Sequence, residues 1–122
     1  MSKQNPIQEK SFSFALTTVR ICKELIKQNE YILSKQLMRS GTSVGANIRE
    51  AQNAESKKDF IHKLSISQKE CDESIYWIEL LFHSKMITKQ NYYLLHSQAS
   101  VLLKMLKSII ITSKKNLAIN NS

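Results

Sequence analysis

Three histidines (His62, His83, His96), two cysteines (Cys22, Cys71) and a carboxylate pair three residues apart (Glu70, Glu73) could supply acid–base, nucleophilic or metal chemistry in this chain. A zinc site needs His or Cys at close spacing, and covalent catalysis needs a nucleophile with a base and an orienting group. Neither pattern is present: the histidines are scattered, there is no HExxH, and no Ser, Cys or Asp stands where a triad would need it. Arg20, Arg39 and Arg49 lack the His four to six residues downstream that helical ribonucleases of the HEPN type carry. Gly41 and Gly45 lack the Lys and Ser/Thr of a phosphate-cradling loop. Glu70 and Glu73 share a helical face with Trp77, and Lys69 and Arg49 are at hand to pair with them, so they read as salt-bridged surface carboxylates. The cysteines are too few and too far apart for a disulfide framework and read as reduced, buried thiols of a cytoplasmic protein. No catalytic residue, metal or cofactor is expected, and the chain reads as a non-enzyme.

Charge is more suggestive. The 122 residues carry a formal net charge of +8, spread unevenly: positions 87 to 122 hold five lysines and no acid. On a continuous helix at about 100° per residue, Lys89, Lys104, Lys107, Lys114 and Lys115 fall within an arc of about 100°. That arc lies opposite an apolar stripe running from Leu95 to Ile109. Two readings stand: a solvated face, for which Lys is the usual residue, or a surface for a polyanion, of which nucleic acid is the commonest inside cells. Lysines of this kind would supply salt-sensitive phosphate contacts without base reading.

The elements that must carry these residues are helical. Two glycines and one proline leave almost no turn chemistry in the chain. Apolar and small residues recur at spacings of three and four in four runs: Phe12, Ala15, Val19, Cys22, Ile26; then Leu37, Gly41, Val44, Ile48, Ala51; then Phe60, Leu64, Ser67, Cys71, Ser74, Ile78, Leu81; and finally Leu95, Ala99, Leu102, Leu106, Ile109. Helices are expected at approximately 11–28, 32–54, 57–84 and 89–115, with frayed termini. Asn29 and Glu30 make the first turn, Ser34 or a start nearer Tyr31 opens the second helix, Ser56 with Asp59 caps the third, and Thr88 caps the fourth. Short loops force an all-α, antiparallel up-down-up-down four-helix bundle, one domain over residues 1–122. The amino terminus has no secretory core, and Lys104 and Lys107 interrupt the apolar run from Leu102 to Ile111, so neither a signal peptide nor a membrane span is expected.

The segment from Ser40 to Gln52 is unusual, because each glycine costs about 1 kcal/mol relative to Ala in a helix interior. Gly41 and Gly45 therefore imply close approach of another backbone, expected to be the third helix at Ser67 and Ser74, and a large residue at Gly45 is expected to overpack. Ser43, Asn47 and Glu50, with Ser40, make a polar ridge beside the apolar stripe, suited to hydrogen bonds between helices or subunits. Tyr76 and Trp77 read as packing anchors at a seam.

Ser43, Val44, Ala46, Asn47, Ile48, Glu50 and Ala51, followed by Ser56, Asp59, Phe60 and the acidic, aromatic run Glu70, Glu73, Tyr76 and Trp77, resemble proteins encoded in intervening sequences of bacterial 23S ribosomal RNA genes. The resemblance covers nearly the whole chain. It departs at Ser65 to Gln68, more polar than the Ala-Leu run of the family, which would loosen packing there. The resemblance implies an antiparallel four-helix bundle assembled as a homopentamer without established enzymatic activity. It also implies kinship with the accessory variability determinant proteins of diversity-generating retroelements, basic barrels that bind nucleic acid and a reverse transcriptase. The "ribosomal protein" label for such chains rests on gene location. Two functions follow as expectations: an oligomer that binds RNA or DNA through basic surface, or a scaffold for a protein partner.

Overall fold

Asn5 and Pro6 set the first helix going. The Asn5 Oδ1 accepts a hydrogen bond from the backbone N–H of Ile7 at 3.0 Å, and proline at the first helical position has no N–H left to satisfy. In the computed structural model, which describes residues 5–120, α1 therefore runs Pro6–Lys27, five residues earlier than the apolar stripe from Phe12 predicts. Residues 1–4 and 121–122, the outermost part of the expected frayed termini, lie outside the described residues. The remaining helices are α2 (Ile32–Gln52), α3 (Lys57–His83) and α4 (Lys89–Asn120), and the described residues contain no strand. α4 does not stop near Lys115 but continues helical to Asn120.

The caps explain the turns. α1 and α3 both end in a residue at positive φ that is not glycine, Asn29 (63°) and Lys85 (62°). In each case the next N–H reaches back to a carbonyl five residues earlier, Glu30 to Leu25 and Met86 to Leu81, both at 2.9 Å. α2 starts at Ile32, with Tyr31 rather than Ser34 at the capping position. Glu30 Oε1 accepts from Leu33 N–H at 2.6 Å in place of a capping hydroxyl, while Ser34 is buried inside the helix. Ser56 caps α3 by accepting from Asp59 N–H at 3.0 Å, and Thr88 caps α4 by accepting from Asn91 N–H at 3.1 Å.

Each helix packs on its neighbour in sequence and α4 closes back on α1, giving an all-helical four-helix bundle. Its core is formed by Phe14, Ile21, Leu25, Leu37, Val44, Ile48, Leu64, Cys71, Ile78, Leu95, Ala99, Leu102 and Leu106. The stripes read for α2 and α3 match the buried faces, except that Ile61 is buried where Phe60 is only half-covered. On α4 the stripe ends in Ile110, which is buried, with Ile109 only partly covered. On α1 the expected stripe is out of phase: Ile7, Ser11, Phe14, Thr18, Ile21, Cys22 and Leu25 are buried, while Phe12 and Ile26 face out. α1 carries apolar residues at helical spacing on two faces, and the bundle covers one.

Candidate nucleic-acid interface

The five lysines of α4 are all exposed, as their position opposite Leu95, Ala99, Leu102 and Leu106 requires. Among the described residues none of them forms an ion pair. Lys104, Lys107, Lys114 and Lys115 cluster over the C-terminal half of α4, and Lys89 stands about 22 Å from Lys104 along the axis, at 1.5 Å rise per residue. The Lys89 Nζ lies 5.7 Å from the centre of the Tyr93 ring, a cation–π contact. Tyr93 is 58% exposed and was not singled out by sequence reasoning, although its place one turn after Lys89 puts it within the lysine arc.

The other predicted residues separate into intrachain roles. Gly41 and Gly45 face α1, not α3. A Cβ at Gly41 would lie 2.9 Å from Thr18 Cγ2 and 3.0 Å from Thr18 Oγ1, and one at Gly45 would lie 3.3 Å from Ser11 Oγ. The small residues of α3 meet α2 elsewhere: Ser67 donates to the Val44 carbonyl at 2.8 Å, and Ser74 donates to Ser40 Oγ at 2.9 Å. Ser67 therefore ties the polar stretch from Ser65 to Gln68 to the neighbouring backbone where loosening is expected. Along the polar ridge, Ser43 donates to the Arg39 carbonyl and Asn47 to the Ser43 carbonyl, both within α2. Glu50 alone of these three reaches across, accepting from Lys63 Nζ at 3.0 Å, a bond that holds the Lys63 ammonium above its usual pKa range.

Glu70 and Glu73 do pair, with Arg39 rather than Lys69 or Arg49. The Arg39 Nη1 donates to Glu70 at 3.0 and 3.2 Å, its Nη2 contacts Glu73, and Trp77 Nε1 donates to Glu73 at 3.1 Å. This fork joins α2 to α3. Trp77 is packed against the core and meets the exposed Tyr76 edge to face at 5.0 Å. The thiols are buried, Cys22 donating to the Ser34 carbonyl and Cys71 to that of Ala99, and burial pushes both up to about 12. His96 sits between Glu79, 3.3 Å from its Nε2, and the Ser100 Oγ, 3.4 Å from its Nδ1, with its ring tilted against Tyr92 at 5.2 Å. Among the described residues no cluster of His, Cys, Asp or Glu is arranged for a metal.

Two further surfaces emerge only from the structure. Phe12 and Leu16 of α1 are 59% and 58% exposed and, with Ile26, make an uncovered apolar stripe. Beside it runs an open groove of about 460 Å³ lined by Ser11, Phe12, Ala15, Thr42, Gly45 and Ala46. α4, in turn, is long and apolar enough in composition to cross a bilayer. Its leucine face enters the bundle core, but only 28% of that apolar stretch is buried, and Leu94, Val101 and Ile111 are exposed.

The family model described as 23S rRNA-intervening sequence protein matches residues 3–108. The chain belongs to this family. A solved member of the S23 ribosomal protein family from Bacteroides thetaiotaomicron, a protein of unknown function, superposes with a TM-score of 0.84 at 46% sequence identity. The match covers 85% of this chain and 97% of that one, so the two share one fold over most of α1 to α4. No curated protein is similar to the chain. The descriptions of the family and of the solved relative name no catalytic activity.

Proposed function

We propose that this member of the family is a non-catalytic, cytoplasmic homo-oligomer that binds RNA or another nucleic acid through the basic face of α4. The observation that carries the reading is the run of exposed lysines on α4 without an acidic partner among the described residues, whereas Arg39 and Lys63 elsewhere are matched to glutamates. Unpaired lysines on one side of a straight helix concentrate positive potential where phosphates can replace their counterions. The uncovered Phe12, Leu16 and Ile26 stripe supports self-association, and several copies would multiply a weak face by avidity. A homopentamer is the assembly that the family resemblance favours.

The apolar stripe also supports the second reading, a scaffold that takes a protein partner with the lysines only keeping it in solution. Titration of the pure protein with RNA at about 50 and 200 mM salt separates the two, because phosphate binding through the five lysines of one chain falls roughly 100- to 500-fold across that range, and further for each additional chain engaged. Binding at low salt that collapses at high salt is expected. No binding at low salt eliminates the nucleic-acid reading and leaves the scaffold.

A further inference from the structure

Exposed apolar side chains are set within the cationic face of α4. At about 100° per residue, Tyr93 and Ile111 share one line along the helix, five turns and about 27 Å apart, inside the arc of the lysines. Tyr93 is 58% exposed and Ile111 is 55% exposed. Lys89 stands before Tyr93, Lys104 and Lys107 lie between the two apolar residues, and Lys114 and Lys115 follow Ile111. Phosphates satisfy the lysines in any nucleic acid. Only unstacked bases offer a flat apolar surface to a tyrosine ring, because a duplex holds its base faces against one another.

We infer that the face of α4 binds single-stranded nucleic acid, with Tyr93 as a stacking platform for a base, Ile111 as a second apolar contact, and Lys104, Lys107, Lys114 and Lys115 along the phosphates. The inference rests on the nucleic-acid reading above and names the strand state of its ligand. The Lys89 contact over the Tyr93 ring holds the ring at the surface of the helix, where a base can lie against what remains open. A face of this length suits a strand of a few nucleotides, the scale of a small single-strand site.

The test uses the full-length protein and a fluorescein-labelled RNA of about 12 nucleotides, free or annealed to its complement, followed by anisotropy at about 50 mM salt. The wild type is expected to prefer the single strand. Tyr93→Ala is expected to weaken single-strand binding about 5- to 150-fold, the loss of one base–aromatic stack, and to leave duplex binding unchanged. Tyr93→Phe should restore single-strand binding. The double change Lys104→Ala with Lys107→Ala should weaken both forms. The inference is overturned, with the nucleic-acid reading intact, if Tyr93→Ala leaves single-strand binding unaltered while the lysine changes weaken it. It is overturned together with that reading if neither RNA form binds. Tyr93-dependent binding to phosphatidylserine vesicles, without a single-strand preference, overturns it in favour of a membrane surface.

Discussion

Replacing each glycine of α2 with alanine gives opposite results if the α1–α2 seam is as close as the structure makes it. Alanine gains about 1 kcal/mol over glycine in a helix interior at either position. At Gly41 the new Cβ would stand 2.9 Å from Thr18 Cγ2 and 3.0 Å from Thr18 Oγ1, against the 3.5–4.0 Å that non-bonded carbons prefer. Thr18 is fully buried and β-branched, and because both of its γ atoms crowd the position, a rotation that frees one leaves the other. The helices must part, at the roughly 1–3 kcal/mol typical of overpacking. At Gly45 the nearest atom is Ser11 Oγ at 3.3 Å, and the backbone beyond it lies at 3.5 Å, so a small swing of one hydroxyl suffices. Gly45→Ala should be neutral to slightly stabilising, and Gly41→Ala less stable by about 1 kcal/mol. For a chain of this size the two alanine variants should then differ by about 4–12 °C in Tm, read by thermal unfolding under circular dichroism. Adding Thr18→Ala removes both γ atoms and should reverse the sign, so that Gly41→Ala stabilises in that background. Equal stabilisation by both alanines, or no reversal, refutes the close seam. A leucine at Gly45, whose Cβ would already stand 3.3 Å from Ser11 Oγ and 3.5 Å from the Ser11 carbonyl oxygen, is still expected to overpack.

Three other outcomes are expected. Lys85 at φ 62° occupies the position helices fill with glycine, and Lys85→Gly should raise stability by about 1 kcal/mol in chemical denaturation; an unchanged midpoint argues against the left-handed cap. Arg39→Ala opens the fork on Glu70 and Glu73; because Arg39 is about half exposed the cost should be about 0.5–1 kcal/mol, decreasing at high salt, and the emission of the single tryptophan, Trp77, should shift as its carboxylate partner is released. Cys22 and Cys71, held up at about 12 by burial from a usual 9.0, favour the folded state fully below pH 9 and lose that advantage as pH rises toward 12. Alkaline unfolding should steepen by up to roughly tenfold in the unfolding constant per pH unit per thiol across that window, and a thiol reagent at pH 8 should react only as fast as the protein opens.

α3 and α4 were legible because Leu64, Cys71, Ile78 and Leu95, Ala99, Leu102 recur at unbroken spacings of three, four and seven, although α4 carries further apolar residues that stay exposed, Tyr93, Val101 and Ile111 among them. α1 was not, because Phe12, Leu16, Val19 and Ile26 repeat at helical spacing as well as Ile7, Phe14, Ile21 and Leu25 do. Periodicity gives the stripes but not which one a neighbour covers. The same gap misdirected the glycines: spacing announced a close approach, and only the bundle geometry shows Thr18 and Ser11 as the parties to it. The Arg39 fork joins residues 31 and 34 positions apart, beyond any local pattern. Two signals were present in the sequence and passed over, the Asn5-Pro6 start of α1 and Tyr93 one turn from Lys89. A lysine count alone draws attention away from an aromatic ring among the lysines.

The lysine face itself is tested most directly by the salt dependence of RNA affinity. Each lysine that neutralises a phosphate of a single strand contributes about 0.7 to the slope of log Kobs against log salt concentration. Replacing Lys104, Lys107, Lys114 and Lys115 with glutamine should therefore flatten the slope by about 3 for each chain engaged, while the Tm stays where it was. An unchanged slope in a folded quadruple variant contradicts the account.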